Sequence, residues 1–372
     1  MVLLKRDLQR SLEVMGLQRC YIWVGLAACM LLAGCAETRS TLRYEVKGAQ
    51  QVVWPAAPEL PRYRYVGELT GEENIRTEGD GGIGALGLTG LKWLVGLFSD
   101  QRQAVVLQRP QAGVVDDGGR IYVTDVSRQA VYVFDEKAGK LHVWEMALDN
   151  TRFEAPIGIA LGANGEILVA DSSLGRVVRL NREGVPVGSF GKGVLKHPTG
   201  LARDAAQGRI YVADTHEHRI KVFDDAGNLL DTFGSGERHE GQNGFNSPTH
   251  LTFANGKLYV ADTLNARIQV LAPDGKVLRM FGRRGLFLGD MTRPKGVAVD
   301  GAGNVYVVES YYDHLLVFND EGELLLPIGG GGSGVGEFYL PAGVWTDQRR
   351  RIYVADMFNG RVVIFEYVGG GA

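Results

Sequence analysis

The sequence predicts an all-β fold, a six-bladed β-propeller of four-stranded antiparallel blades, and three observations predict it. The first is a repeat. Six segments end a strand-like run on an acid: Ile121-Tyr-Val-Thr-Asp125, Ile167-Leu-Val-Ala-Asp171, Ile210-Tyr-Val-Ala-Asp214, Leu258-Tyr-Val-Ala-Asp262, Val305-Tyr-Val-Val-Glu309 and Ile352-Tyr-Val-Ala-Asp356. The acids fall 46, 43, 48, 47 and 47 residues apart, the length of a four-stranded propeller blade. The second is that each repeat holds four strand-like runs separated by turn residues. The third is composition: 52 glycines against 12 prolines, with 45% hydrophobic and 22% charged residues, describe many tight turns around a large core.

The third repeat displays the four runs well: Gly200-Leu-Ala-Arg203, Arg209 to Asp214, Arg219 to Phe223 and Leu229 to Phe233. Asp225-Ala-Gly-Asn228 supplies the positive-φ positions of a tight hairpin, and Glu183-Gly184, Asp274-Gly275 and Glu321-Gly322 are its counterparts. The middle runs are almost continuously apolar, as expected where both faces of a sheet are covered by neighbouring blades. Prolines 156, 198, 248, 294 and 341 stand two residues before a glycine, or before His250 in the fourth repeat, and read as rigid starts of the innermost strands.

The sixth repeat runs out before a fourth strand. Upstream of the first lies an alternating segment without a partner, Tyr63-Arg-Tyr-Val-Gly-Glu-Leu69, which is expected to complete blade six and so close the ring.

These units resemble the NHL repeat, whose signature is a Tyr-Val-Ala-Asp strand, a polar turn, an arginine five residues after the aspartate and a strand ending in Phe-Asp. Blade three, Asp214-Thr-His-Glu-His-Arg219-Ile-Lys-Val-Phe-Asp224, is close to the full form. The resemblance covers residues 113–366 and implies the propeller fold and a loop-built binding face. Asp171/Arg176, Asp214/Arg219, Asp262/Arg267 and Asp356/Arg361 read as structural turn pairs, the carboxylate accepting turn N–H groups while the guanidinium bonds back to it. Blades one and five depart from the signature, with Ala130 and His314 at the arginine position.

The N-terminus carries Lys5, Arg6, Arg10 and Arg19, then an uncharged run over residues 20–36, about right for an export signal and short for a membrane span. The run ends Leu32-Ala33-Gly34-Cys35, which resembles the lipobox of bacterial lipoproteins and implies lipidation at Cys35. A start at Met15 gives the more usual signal length than one at Met1. The other cysteines, Cys20 and Cys29, lie within the signal, so no disulfide framework is expected.

The expected organisation is therefore a signal peptide over residues 1–35, a proline-containing tether over 36–62, the closing strand over 63–69, an insertion over 70–108, the propeller over 109–367 and a tail over 368–372. Within the insertion, residues 84–98 place Leu88, Leu91, Leu94, Val95 and Phe98 on one helical stripe, predicting a short amphipathic helix. Leu91, Trp93, Leu94, Val95 and Phe98 are the candidate contact residues of that helix, whether the stripe packs on the propeller or meets a membrane or partner.

The charge balance, 40 basic against 43 acidic residues, provides no basic stripe, so nucleic acid is not the expected partner. No His-Glu-x-x-His, nucleophile elbow or Walker loop is present, and no catalytic residue or cofactor is assigned. His197 and His250 start or precede inner strands and are the candidate metal ligands of the central channel. The sequence thus reads as a lipid-anchored, monomeric propeller of the bacterial envelope, facing the periplasm from either membrane, that binds a protein or small ligand without catalysis. The alternative, drawn from enzymes with this fold, is a metal-dependent hydrolase or lyase of the gluconolactonase or amidating-lyase kind.

Overall fold

In the computed structural model of the chain, residues 40–46, 52–77, 104–242 and 244–369 are described. Apart from Thr77 they belong to one compact unit. Five four-stranded antiparallel meanders follow one another: Pro110–Val115 through Lys140–Trp144, Pro156–Leu161 through Pro186–Phe190, Pro198–Asp204 through Leu229–Phe233, Pro248–Ala254 through Val277–Phe281, and Pro294–Val299 through Leu324–Gly329. The sixth sheet orders its strands Val53–Trp54, Tyr63–Leu69, Arg361–Tyr367, Arg351–Asp356 and Val344–Thr346. The first repeat-derived strand of every blade lines one central channel, a cavity of about 270 Å³. The protein is a six-bladed β-propeller. Among the described residues the helical pieces are short 3₁₀ turns.

The second and third strands of each blade are rich in Val, Ile and Tyr and are buried on both sides, because each blade lies between two others. The recurring tyrosine of the second strand is fully buried and keeps its hydroxyl satisfied at the end away from the acids. Tyr122, Tyr306 and Tyr353 donate to Asp116, Asp300 and Asp347 of their own blades at 2.9, 2.7 and 2.9 Å. Tyr211 and Tyr259 instead reach the next blade, bonding Pro273 O and Asp320. These rings therefore supply core area and a polar tie together.

Tyr63–Leu69 pairs antiparallel with Arg361–Tyr367, from Tyr63 against Tyr367 to Leu69 against Val362. The closing strand fills the interfaces on both sides of blade six. Tyr63 and Tyr65 join the core shared with blade five, and Leu69 joins the core shared with blade one. Two further features lie outside the repeat. Met146–Leu148 and Thr151–Arg152 form a small hairpin between blades one and two, and Ala147 within it and Phe153 after it are buried there.

The tether expected over residues 36–62 is corrected by the structure. Val53–Trp54 pairs with Tyr63 and Arg64 as a fifth strand of blade six, and Trp54 packs edge-on against Phe365. Leu42 and Tyr44 are buried, the Tyr44 ring lies under the Arg351 guanidinium at 5.0 Å, and its hydroxyl donates to Glu136. Gly67 is needed for this docking, because a Cβ there would stand 1.7 Å from Tyr44 O. Apolar residues ahead of the prolines oppose a free linker, since burying Leu42, Tyr44 and Trp54 against the ring stabilises the ordered strip. The amphipathic segment over residues 84–98, with Leu91, Trp93, Leu94, Val95 and Phe98, lies outside the described residues.

Leu69 is fully buried at the blade six to blade one seam. Leu69→Ala should therefore lower the free energy of unfolding by about 2–5 kcal/mol. Urea denaturation checks this, with a lowered midpoint and an unchanged slope expected.

Candidate functional site

The six repeat acids, Asp125, Asp171, Asp214, Asp262, Glu309 and Asp356, are all buried. In blade two, Asp171 accepts the N–H groups of Glu154 and Ala155, from the connection leading to the inner strand, and of Ser173 and Leu174, from the turn that follows the acid. Asp125 accepts Gln108, Arg109, Ser127 and Arg128 in the same way. Glu309 accepts Thr292, Arg293, Tyr311 and Tyr312. One carboxylate thus staples two loops, and both sets of loops lie at the same end of the blades. We call this end the acid face.

The arginine five residues later does not always answer the acid. Arg267 and Arg361 donate through Nε to Asp262 and Asp356 at 2.8 and 2.9 Å. Arg176 and Arg219 make no ion pair with Asp171 or Asp214, which corrects the expected pairing in blades two and three. Asp171 is already saturated by four backbone donors, so its guanidinium is redundant. In blade three Lys221 takes the arginine's place, its Nζ bonding Asp214 at 2.9 Å and Glu217 at 2.6 Å, while Arg219 turns to Ser235 O. The repeat signature marks where a cation sits but not which acceptor it finds.

Four of the five expected prolines begin inner strands, whereas Pro341 stands three residues before the strand Val344–Thr346. Pro110, Pro156, Pro198, Pro248 and Pro294 each begin an inner strand and stand opposite the acid of the second strand. At the next position but one the blades carry Ala112, Gly158, Gly200, His250, Gly296 and Gly343. The glycines let the inner strands approach the axis, since a Cβ on Gly158 would stand 2.0 Å from Thr199 O and one on Gly343 would stand 2.2 Å from Gln111 O. His250 is the one bulky side chain of this layer.

His250 lines the channel and His197 does not. The His197 ring stacks on His216 of the outer turn with centroids 3.9 Å apart, so the two histidines read from the sequence as joint channel ligands are not brought together. His250 Nδ1 accepts the Val297 N–H at 3.4 Å, which leaves the proton on Nε2. Burial pulls its pKa down to about 4. Burial, with His216 beside it, also lowers that of His197. Among the described residues no three His, Cys, Asp or Glu side chains gather as a metal-binding group.

Sequence reasoning missed the most exposed apolar element. In the connection from blade four to blade five, Leu286, Phe287 and Leu288 are 86, 78 and 66% exposed. They are held out on a braced loop. Asp290 accepts Arg283 Nε at 2.8 Å and the Phe287 N–H at 3.0 Å, and the Met291 N–H closes on Arg283 O. Leu264, Tyr311, Tyr339 and Phe358 are exposed in other loops of the same face on blades four to six. The signal was available as Gly285-Leu-Phe-Leu-Gly289, three consecutive large apolar residues between glycines.

A ring of six blades, each tied by a buried acid to its own loops, defines a repeat propeller with one loop-built face. Residues 195–223 match the NHL repeat, and residues 290–370 match a family described as a 6-bladed beta-propeller. The chain is a six-bladed β-propeller in which one segment matches the NHL repeat. It is 29% identical to Protein brain tumor of Drosophila melanogaster over 134 residues, 35% of this chain and 13% of that protein. It is 37% identical to NHL-repeat-containing protein 4 of Homo sapiens over 71 residues, 19% of this chain and 56% of that one. The matches thus span only 13% and 56% of these two curated relatives. A virginiamycin B lyase from Staphylococcus aureus is similar in fold, with a TM-score of 0.51 and 14% identity over 70% of this chain and 96% of that one.

Two outcomes are expected. Arg361→Ala, which strips a donor from buried Asp356, should cost about 3 kcal/mol, whereas Arg176→Ala should stay within about 0.5 kcal/mol, as read by thermal or urea unfolding. The second concerns acid. His250 binds its proton less well folded than unfolded, where its pKa is near 6.5, so it withdraws stability as pH falls from about 6.5 to about 4. His250→Gln should recover about 2 kcal/mol at pH 4.5 relative to its effect at pH 7, measured as the difference in urea midpoints at the two pH values.

Proposed function

We propose that this propeller is a lipid-anchored binding module of the bacterial envelope that engages a partner protein through the acid face of blades four to six. The observation that carries the reading is the braced Leu286-Phe287-Leu288 loop. Three consecutive large apolar side chains held in water are costly to leave uncovered, and the Asp290 brace means that little order is lost when they are covered. Apolar anchors of this kind, flanked by Tyr311, Tyr339 and Phe358, suit the centre of a protein interface.

Anchoring through Cys35 accords with this use of the face. Ser40 lies beside Gly139, and Tyr44 beside Arg351 and Glu136, all at the end of the blades opposite the acids. Four residues separate Cys35 from Ser40, and the five steps between the two span at most about 18 Å. An anchored body would rest with that opposite end toward the lipid headgroups and the acid face toward the aqueous side.

The experiment is made on the full chain in its own envelope. Cys35→Ser should abolish lipidation, read as the loss of the acyl mass and of partition into the detergent phase. A photo-crosslinker at Phe287 should yield one discrete adduct, and a crosslinker at Leu230, exposed on an outer strand, should not. Leu286→Ser with Leu288→Ser should remove the adduct without lowering the melting temperature. An adduct that survives both changes would overturn the docking surface, and a Cys35→Ser protein that keeps its mass and partition would overturn the anchor.

A further inference from the structure

The acid face carries a second feature, at the mouth of the central channel. At the position after each blade proline, five blades place uncharged side chains there and blade five places Lys295. The residues preceding Pro110 and Pro294 are Arg109 and Arg293. Both arginines use their backbone N–H groups in the acid staples of blades one and five, which fixes them at this rim. The Arg109 guanidinium lies 5.4 Å over the Phe358 ring, so it leans from blade one across blade six. Blade six gives it room, because its own residue at the Lys295 position is the small, buried Ala342. Lys295 stands on the other side of the same gap.

None of these three side chains has a hydrogen bond or ion pair among the described residues, although other basic groups of the protein, such as Lys221, Arg203 and Arg361, are paired. No carboxylate among the described residues pairs with them. The repeat acids are committed to backbone N–H groups, and Asp313 in the turn of blade five accepts the Leu340 N–H at 2.7 Å. Burial, with Arg293 and Arg109 close by, pulls the Lys295 ammonium below the usual lysine value. Deeper in the channel, the His250 ring meets the same inner strand at Val297, two residues beyond Lys295.

We propose that the acid-face mouth of the channel is a binding site for a small multivalent oxyanion, a phosphate or polycarboxylate group, held by Lys295, Arg293 and Arg109. Three uncompensated cations that converge on a partly desolvated mouth repel one another, and an oxyanion that accepts from all of them reverses that repulsion. The guanidiniums can bond it bidentately, and the ammonium supplies a point charge. The site depends neither on the lipid anchor nor on the Leu286–Leu288 docking loop, so either reading can fail without the other.

Isothermal titration and thermal melting of the purified full chain with inorganic phosphate, citrate and chloride test it. Phosphate or citrate should bind saturably and raise the melting temperature, whereas chloride should not. Lys295→Met should weaken that affinity tenfold or more, and the exposed Arg293→Gln, which leaves the fold intact, should do the same. Arg284→Gln, outside the mouth, should leave the affinity unchanged. A preference for phosphate assigns a phosphorylated ligand, and a preference for citrate assigns a polycarboxylate; either supports the site. Absence of saturable binding, or binding that Lys295→Met and Arg293→Gln leave unaltered, would overturn it.

Discussion

Each blade buries a charge at the end of its second strand, and a charge in a protein interior is tolerated only where hydrogen bonds replace its hydration. The backbone supplies those bonds. The connection into the blade contributes two N–H groups and the turn after the acid contributes two more, most completely at Asp125, Asp171 and Glu309. Charge-assisted bonds of this kind are stronger than neutral ones, so the carboxylate sets the path of both loops. Where the backbone donors fall short, side chains take over: Lys221 at Asp214, Asn265, Arg267 and Gln269 at Asp262, and Asn359 and Arg361 at Asp356. The constant is a saturated carboxylate, and the donor set varies around it.

The residue after the acid carries the tie from one blade to the next. Ser172, Thr215 and Thr263 donate to the carbonyls of Pro198, Pro248 and Pro294 in the following blades at 2.6, 2.7 and 2.8 Å. Ser310 of blade five bonds Arg293 O of its own blade instead and blade one has Val126, while Met357 leaves the junction of blades six and one without the latch. The seam between them is held by other means: the closing strand, the buried Leu69 and the docked Leu42 and Tyr44. Ion pairs from Arg349 and Arg351 to Glu136 cross the same seam.

Stapling has a consequence for recognition. The repeat acids are consumed inside the blades, and the face above them displays basic and apolar groups beside exposed carboxylates such as Glu154 and Glu240. The Leu286–Leu288 loop and the Arg109, Arg293 and Lys295 rim are both set by residues flanking the staples. Variation there alters what the face offers without altering the ring.

The sequence by itself determined the number of blades, their strands and their closure. Those features rest on local patterns: a recurring acid after a β-branched run, glycine in the hairpins and one unpaired alternating strand. Pro110 escaped the pattern because blade one spaces it three residues from Gly113 instead of two. The structural role of the acids was legible for the same local reason, since their donors lie in adjacent turns. Only the tertiary structure decided which cation met which carboxylate, because a saturated Asp171 leaves Arg176 without a task. It also separated His197 from His250, bound residues 40–46 and 52–54 to the ring, and brought Arg109 near Lys295. Those two residues lie in different blades, far apart in sequence, and their proximity is a product of ring closure. Local periodicity can specify each blade, but it carries no record of which side chains meet across the axis.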